Sequence, residues 1–161
     1  MKAIEDNNGQ EQSGWALADR QRWMGILARA ACRDLEAFLD QLPDSGGYDF
    51  LRLPEIGLSM VRGRAGGTGD PFNLGEMTVT RCSLRLADGT VGHGYIKGRD
   101  KRHCELAALF DALLQRDEYR QDLFARLIDP LEKKWLEKRH ERSRKAAATK
   151  VEFYTMVRGE D

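Results

Sequence analysis

The stretch Glu76–Lys97, EMTVTRCSLRLADGTVGHGYIK, decides the fold of this chain. Strand-forming residues run to Leu86, and Asp88-Gly89 supplies the positive φ angles of a two-residue type I′ turn. A third β-prone segment resumes from Thr90 to Lys97. The spacing predicts an antiparallel hairpin in which Ala87 pairs with Thr90. Leu86 then faces Val91, Leu84 faces His93 and Cys82 faces Tyr95. Gly92 and Gly94 fall on the other side, opposite Arg85 and Ser83. A side bearing two glycines is flat, so a ligand or another backbone can approach it closely.

Working outward, Ile56, Leu58 and Met60 alternate with Gly57, Ser59 and Val61 after Pro54, which predicts a strand over about 56–63. The loop Arg64–Gly75 joins it to the strand over 76–86. Further upstream, Met24, Leu27, Ala31, Leu35, Phe38 and Leu42 recur at three- and four-residue steps. They predict one long amphipathic helix from Trp15 to Leu42, ended by Pro43 and followed by the flexible link Asp44–Gly47. Downstream, Asp100 is placed to cap a helix from Lys101 to about Gln115, with Leu106, Leu109, Phe110 and Leu113 as its apolar stripe. A short helix covers Glu118–Ile128, and Asp129-Pro130 opens a charged helix from Leu131 to about Ala147. Val151–Val157 is β-prone and predicts a strand over 150–157. The fold class expected is α+β: an antiparallel sheet of strands at about 56–63, 76–86, 90–97 and 150–157, packed with a long N-terminal helix and a C-terminal helical segment. Residues 1–13 read as a disordered acidic tail, and residues 14–161 as a single domain.

Composition narrows the function classes. The 161 residues are 41% hydrophobic and 32% charged, ordinary for a soluble globular protein. No run of eighteen apolar residues exists to span a membrane. Cys32, Cys82 and Cys104 are odd in number and far apart, which argues against a disulfide scaffold or a zinc site and fits a reducing cytoplasm. Net charge is zero but unevenly spread: residues 1–50 hold five Lys/Arg against nine Asp/Glu, and residues 131–150 hold eight against three. A neutral chain with one basic helix argues against nucleic-acid binding and suits an acidic partner.

Three segments have the composition for chemistry. In Arg62-Gly63-Arg64-Ala65-Gly66-Gly67-Thr68-Gly69, successive glycines let backbone N–H groups converge on an anion while the arginines add charged donors. Asn73 and Glu76 close the same segment. The spacing matches neither a Walker A loop nor a dinucleotide fingerprint. An anion cradle, a tight connection between strands and a partner-protein contact all remain open there. The second segment, His93–Asp100, offers His93, Lys97 and Arg99 beside a helix N-terminus, with His103 and Glu105 just inside the helix. Its plain reading is a capped helix and a half-buried packing histidine. The third is the basic helix Lys133–Lys150, able to steer a nucleotide or an acidic neighbour, or simply a solvated, ion-paired face. No nucleophile–base pair, metal-ligand cluster or carboxylate pair stands out.

Several strings are long and unusual: Arg22-Trp23-Met24, Leu53-Pro54-Glu55-Ile56-Gly57-Leu58, Met60-Val61-Arg62-Gly63-Arg64, Gly66-Gly67-Thr68-Gly69, Pro71 to Cys82, Gly92-His93-Gly94-Tyr95, Lys145 to Phe153 and Thr155 to Asp161. In these the chain, from about Arg20 onward, closely resembles the PhnG family, the G subunits of the bacterial carbon–phosphorus lyase system. The resemblance implies assembly with H, I and J subunits into a core complex, which an ATP-binding K subunit joins. With the H, I and L subunits it implies transfer of the ribose triphosphate of ATP, taken with magnesium as a substrate, onto an alkylphosphonate such as methylphosphonate, releasing adenine. Carbon–phosphorus cleavage then belongs to the iron–sulfur J subunit and nucleosidase chemistry to the I subunit. This chain carries no cofactor on that reading, and no family catalytic residue transfers to it. Lys97 and Cys104 depart from the family pattern, so neither is expected to be essential. The apolar positions along Trp23–Leu42 suit either a core or a subunit interface, and self-association of the isolated chain is open.

Overall fold

The computed structural model of the chain describes residues 17–42 and 47–148. The expected acidic tail, most of the Asp44–Gly47 link and the expected strand over 150–157 lie outside these residues. Within them the order is α1 (Leu17–Leu27), α2 (Cys32–Leu39), β1 (Tyr48–Arg64), a short 3-10 turn (Ala65–Gly67), β2 (Pro71–Leu86), β3 (Val91–Lys97), α3 (Lys101–Leu114), α4 (Asp117–Leu123), one π-helical turn (Phe124–Ile128) and α5 (Asp129–Ala148). The strands form one antiparallel sheet in the order β1-β2-β3.

Helix α3 lies against β3 and the adjoining part of β2, and is buried over His103–Cys104 and Leu106–Leu114. Asp100 caps it as expected, its carboxylate accepting from the His103 amide at 2.9 Å. Leu84, Cys82 and Ile96 of the sheet and Leu106, Leu109, Phe110 and Leu113 of α3 make the centre of the core. Trp23 and Leu27 of α1, Leu35 and Phe38 of α2, and Leu123 and Ile128 close it from the other sides.

The hairpin register differs from the expected one by a single residue. Leu86 donates to the Thr90 carbonyl and Gly89 to the Leu86 carbonyl, both at 2.9 Å, so the loop is Ala87-Asp88-Gly89 with Gly89 at φ +91°. The Asp88 carboxylate accepts from the Thr90 amide, which also holds its pKa below the usual carboxylate value. Three-residue loops of this kind use one glycine with positive φ where a two-residue turn needs both central residues there. The pairs are therefore Leu84↔Gly92, Cys82↔Gly94 and Ser83↔His93. A one-residue slip exchanges the two faces of a strand. Gly92 and Gly94 thus look into the core, and His93 looks out. The close approach expected over the glycines is that of α3: a Cβ on Gly92 would sit 2.0 Å from the Ala108 carbonyl oxygen, and one on Gly94 2.2 Å from that of Cys104.

The long N-terminal helix is two helices. No glycine or proline breaks it; Ala31 adopts an extended conformation, with φ −78° and ψ 138°. The break lets Trp23 meet Phe124 edge-on at 5.9 Å and Phe38 meet Phe110 at 6.0 Å. It also frees carbonyls in the last turn of α1, and His103 Nε2 lies 2.9 Å from the Leu27 oxygen. A carbonyl only accepts, so that nitrogen carries the proton. Tertiary packing overrides local periodicity here.

Asp129-Pro130 does not start a new helix either. Asp129 is helical, with φ −62° and ψ −43°, and α4 continues through the π turn into α5. Proline removes one amide donor and crowds the carbonyl of the preceding turn, and a wide turn directly before it accommodates both.

Candidate functional site

Beyond the rung Val79↔Lys97 the sheet narrows to two strands. From Leu58↔Thr78 to Arg64↔Pro71, β1 and β2 continue alone as an arm spanning roughly 20 Å at the usual strand rise. Part of what reads as loop, Pro71–Gly75, is thus strand, paired with Val61–Arg64 across a bulge at Leu74. Pro54 fits because β1 is an edge strand, and the register shifts beside it. The pairing Ile56↔Thr80 and strand alternation place Ile56, Leu58 and Met60 on the same face as Thr80, Cys82 and Leu84. That apolar stripe leaves the helix layer behind and becomes exposed: Leu58 is 64% and Met60 52% accessible. Phe72 and Leu74 flank Gly63 on the opposite face, Leu74 at 65%.

The candidate residues Arg62, Arg64, Gly66, Gly67, Thr68 and Gly69 form the tip of this arm. Gly66 and Gly67 have φ of +59° and +81°, which only glycine adopts without strain, so the two glycines have a turn-forming reason to be there. Arg64 donates to the Gly69 carbonyl at 3.2 Å, fixing the loop across its own mouth. Asn73 pairs with Arg62 and Glu76 with Met60, on the shaft of the arm. His93 and Arg99 are elsewhere. His93 lies beside Ser83, with Nδ1 and Oγ 2.9 Å apart, ten residues along β2 from Asn73 and hence roughly 30 Å away. Arg99 sits in the exposed turn before α3. The sequence candidates are therefore spread along the sheet and are not gathered into one site.

His103 and Glu105, just inside α3, have structural partners. His103 is bonded to Leu27, as above. Glu105 accepts from the Tyr48 hydroxyl and from Arg102, the latter at 2.9 Å. Burial, with Glu105 as acceptor, pushes the Tyr48 hydroxyl up to about 12. Cys82 and Cys104 are buried with their sulfurs 3.5 Å apart; the hydrogen bond to Cys82 and burial push the Cys104 thiol well above its usual range. Among the described residues no cluster of three or more His, Cys, Asp or Glu could hold a metal, and no helix is long and apolar enough to cross a membrane.

Two features carry little or only partial sequence signal. Asp111, fully buried in α3, accepts from Arg20 Nε (3.1 Å), Arg20 Nη2 (2.7 Å), Trp23 Nε1 (2.8 Å) and the His93 amide (2.9 Å). It ties α1 and the free edge of β3 to α3. In sequence it is merely a polar residue within an apolar stripe. The second is a recess of about 520 Å³ lined by Arg29, Lys97, Trp135, Lys138, Arg139 and Arg142, between the end of α1, the end of β3 and α5. Trp135, Lys138, Arg139 and Arg142 are spaced i, i+3, i+4 and i+7, one helix face, so half of it was legible in the basic helix. Arg29 comes from more than a hundred residues away.

Comparison with known proteins accords with the resemblance. The family model described as "Phosphonate metabolism protein PhnG" matches residues 18–159. A protein of Rhizobium meliloti (strain 1021), alpha-D-ribose 1-methylphosphonate 5-triphosphate synthase subunit PhnG, is 45% identical over 145 residues, covering 90% of this chain and 92% of the relative. The match takes in the arm, the glycine-bearing hairpin and α5 alike. The chain belongs to the PhnG family of phosphonate metabolism proteins.

Proposed function

We propose that this chain is a non-autonomous subunit of a cytoplasmic alpha-D-ribose 1-methylphosphonate 5-triphosphate synthase within the carbon–phosphorus lyase system. It works with H-, I- and L-type subunits to transfer the ribose triphosphate of magnesium-bound ATP to an alkylphosphonate, displacing adenine, and it assembles with J- and K-type subunits as well. Residues 14–161 act as one domain that brings no cofactor and turns nothing over alone. The observation that carries this reading is the arm. A two-stranded ribbon with Ile56, Leu58 and Met60 uncovered on one face and Phe72 and Leu74 on the other is what a protein interface leaves behind when its partner is removed. The family membership and the relative's name, a subunit of that synthase, support a part in this reaction.

Reconstitution tests it. Adenine release from ATP and methylphosphonate by the H-, I- and L-type subunits should require this chain, which should co-purify with the I-type subunit and release no adenine by itself. Turnover by the isolated chain would overturn the reading.

The scaffold alternative, in which the chain touches no substrate, draws support at the arm tip, where Arg64 already bonds Gly69 and the glycines serve the turn. Replacing Arg62 and Arg64 by Ala separates the two. Loss of assembly favours an interface there, and loss of activity in an intact complex favours a substrate contact.

A further inference from the structure

We infer that the recess between α1, β3 and α5 is an oligophosphate-binding site. The inference deepens the preceding reading, on which it rests for the identity of the anion. Arg29 projects from the end of α1, and Lys138, Arg139 and Arg142 from a single face of α5, onto one concave surface of about 520 Å³. Lys97, at the end of β3, adds a fifth cation at the rim. None of the five makes an ion pair within 4.0 Å among the described residues. On adjoining surfaces, by contrast, Lys134 pairs with Asp34, Arg22 with Asp129 and Glu132, and Lys145 with Glu141. Lys138 and Arg142 are like charges four residues apart, an arrangement that weakens a helix unless an anion lies over it.

The Trp135 ring organises the recess. Arg29 lies over it with its guanidinium carbon 5.1 Å from the ring centroid, and Arg139 with its own at 5.4 Å. Stacking holds both guanidinium groups in place; Arg29 Nη1 donates to the Gly25 carbonyl at 2.7 Å, and its other N–H groups are left for oxygen acceptors. With two arginines gathered at the ring, the recess offers charge for a phosphate chain rather than an aromatic face for a base. Arginine forks match phosphate oxygens two at a time. Four or five cations suit a triphosphate, with its several negative charges, better than a single carboxylate. The arm tip, by comparison, offers two arginines, one of them bonded to its own loop.

The test is calorimetric titration of the full chain, free and in the assembled complex, with inorganic tripolyphosphate, ATP and adenosine. Tripolyphosphate and ATP should bind with similar affinity, weakening steeply with added salt, and adenosine should not bind. The double variant K138E/R142E, altered only at exposed positions, should weaken tripolyphosphate binding about thirtyfold, as two reversed surface charges would. The milder K138Q/R142Q should weaken it about fivefold. The arm variant R62A/R64A should bind as the parent does. Unchanged binding by K138E/R142E, stronger binding of adenosine than of tripolyphosphate, or loss of binding only in R62A/R64A would each overturn the site. So would a K138E/R142E chain that fails to assemble yet still binds tripolyphosphate, since the basic face would then be a docking surface. In those cases adenine release by the reconstituted complex still reports separately on the subunit reading.

Discussion

Replacing Gly92 with Ala distinguishes the observed hairpin register from its one-residue neighbour. In the neighbouring register residue 92 lies on the open side of the sheet, and an added methyl group there costs little. In the observed register the new Cβ would stand 2.0 Å from the Ala108 carbonyl oxygen and 2.8 Å from both the Cβ and the amide nitrogen of Ala112. These atoms belong to a buried helix and are not flexible side-chain ends. Reaching even 3.0 Å requires about 1 Å of separation between β3 and α3. Interiors packed at crystal density do not absorb such a shift locally. Overpacking costs typically run to about 3 kcal/mol, and a backbone-on-backbone collision belongs at that upper end. Urea denaturation followed by far-ultraviolet circular dichroism should show a lower midpoint with an unchanged slope. Gly57→Ala is the control: it lies in β1 with nothing within 4 Å of its ideal Cβ, and should change stability by less than about 0.5 kcal/mol. A loss below about 1 kcal/mol for Gly92→Ala would refute the close approach of α3 to β3, and with it the placement of His93 on the outer face.

Two further outcomes follow from the buried polar groups. Asp111→Asn keeps the shape but turns one of two accepting oxygens into a donor facing N–H groups of Arg20, Trp23 or His93, so unfolding should require about 3 kcal/mol less, the low end for a broken buried pair because Arg20 is 21% exposed; a loss under about 1 kcal/mol in the same urea assay would contradict the four-bond arrangement. Tyr48 keeps its proton to about pH 12 in the folded state against about 10 when unfolded, so its contribution is complete below pH 10 and disappears as pH rises through 12; thermal melts should show a decline between pH 10 and 12 that is smaller in Tyr48→Phe, and identical alkaline limbs would exclude the Tyr48–Glu105 contact as its source.

Much of the fold was legible because local chemistry and tertiary structure agree. Asp100 caps α3 where a capping residue precedes an apolar stripe, and the β2–β3 hairpin forms where alternation flanks Asp-Gly. The misreadings have identifiable causes. Asp-Gly suits both two- and three-residue hairpin loops, and nothing within the loop distinguishes them. The deciding information is remote: Gly92 and Gly94 must face Ala108 and Cys104, which only the packing of α3 reveals. The single long helix failed for the same reason, since its periodicity survives the break at Ala31 while its direction does not. Pro71–Gly75 read as loop from its proline and glycine, yet an edge-strand proline and a bulge accommodate both. For the site, Arg62–Gly69 forms the tip of the arm, and Gly66 and Gly67 answer to its turn. The basic recess escaped because Arg29 meets Trp135 only after α1 and α5 come together.

The arm and the recess impose different requirements on the same small body. A two-stranded ribbon is marginally stable in water by itself, because it lacks a third strand or a helix to bury its apolar face. Here the inner end is anchored by the rungs that β2 shares with β3, while Leu58, Met60, Phe72 and Leu74 stay open at the outer end. Whatever covers those residues both removes apolar area from water and supplies the packing the ribbon lacks, so covering and ordering the arm are one event. The recess makes the opposite demand: among the described residues no carboxylate pairs with its cations, which need a site that solvent and an anion can reach. An apolar partner contact and an open cationic surface cannot occupy the same face. Placing the first on an outward arm and the second where α1, β3 and α5 meet lets one subunit be held by a neighbour and still present charge to a triphosphate.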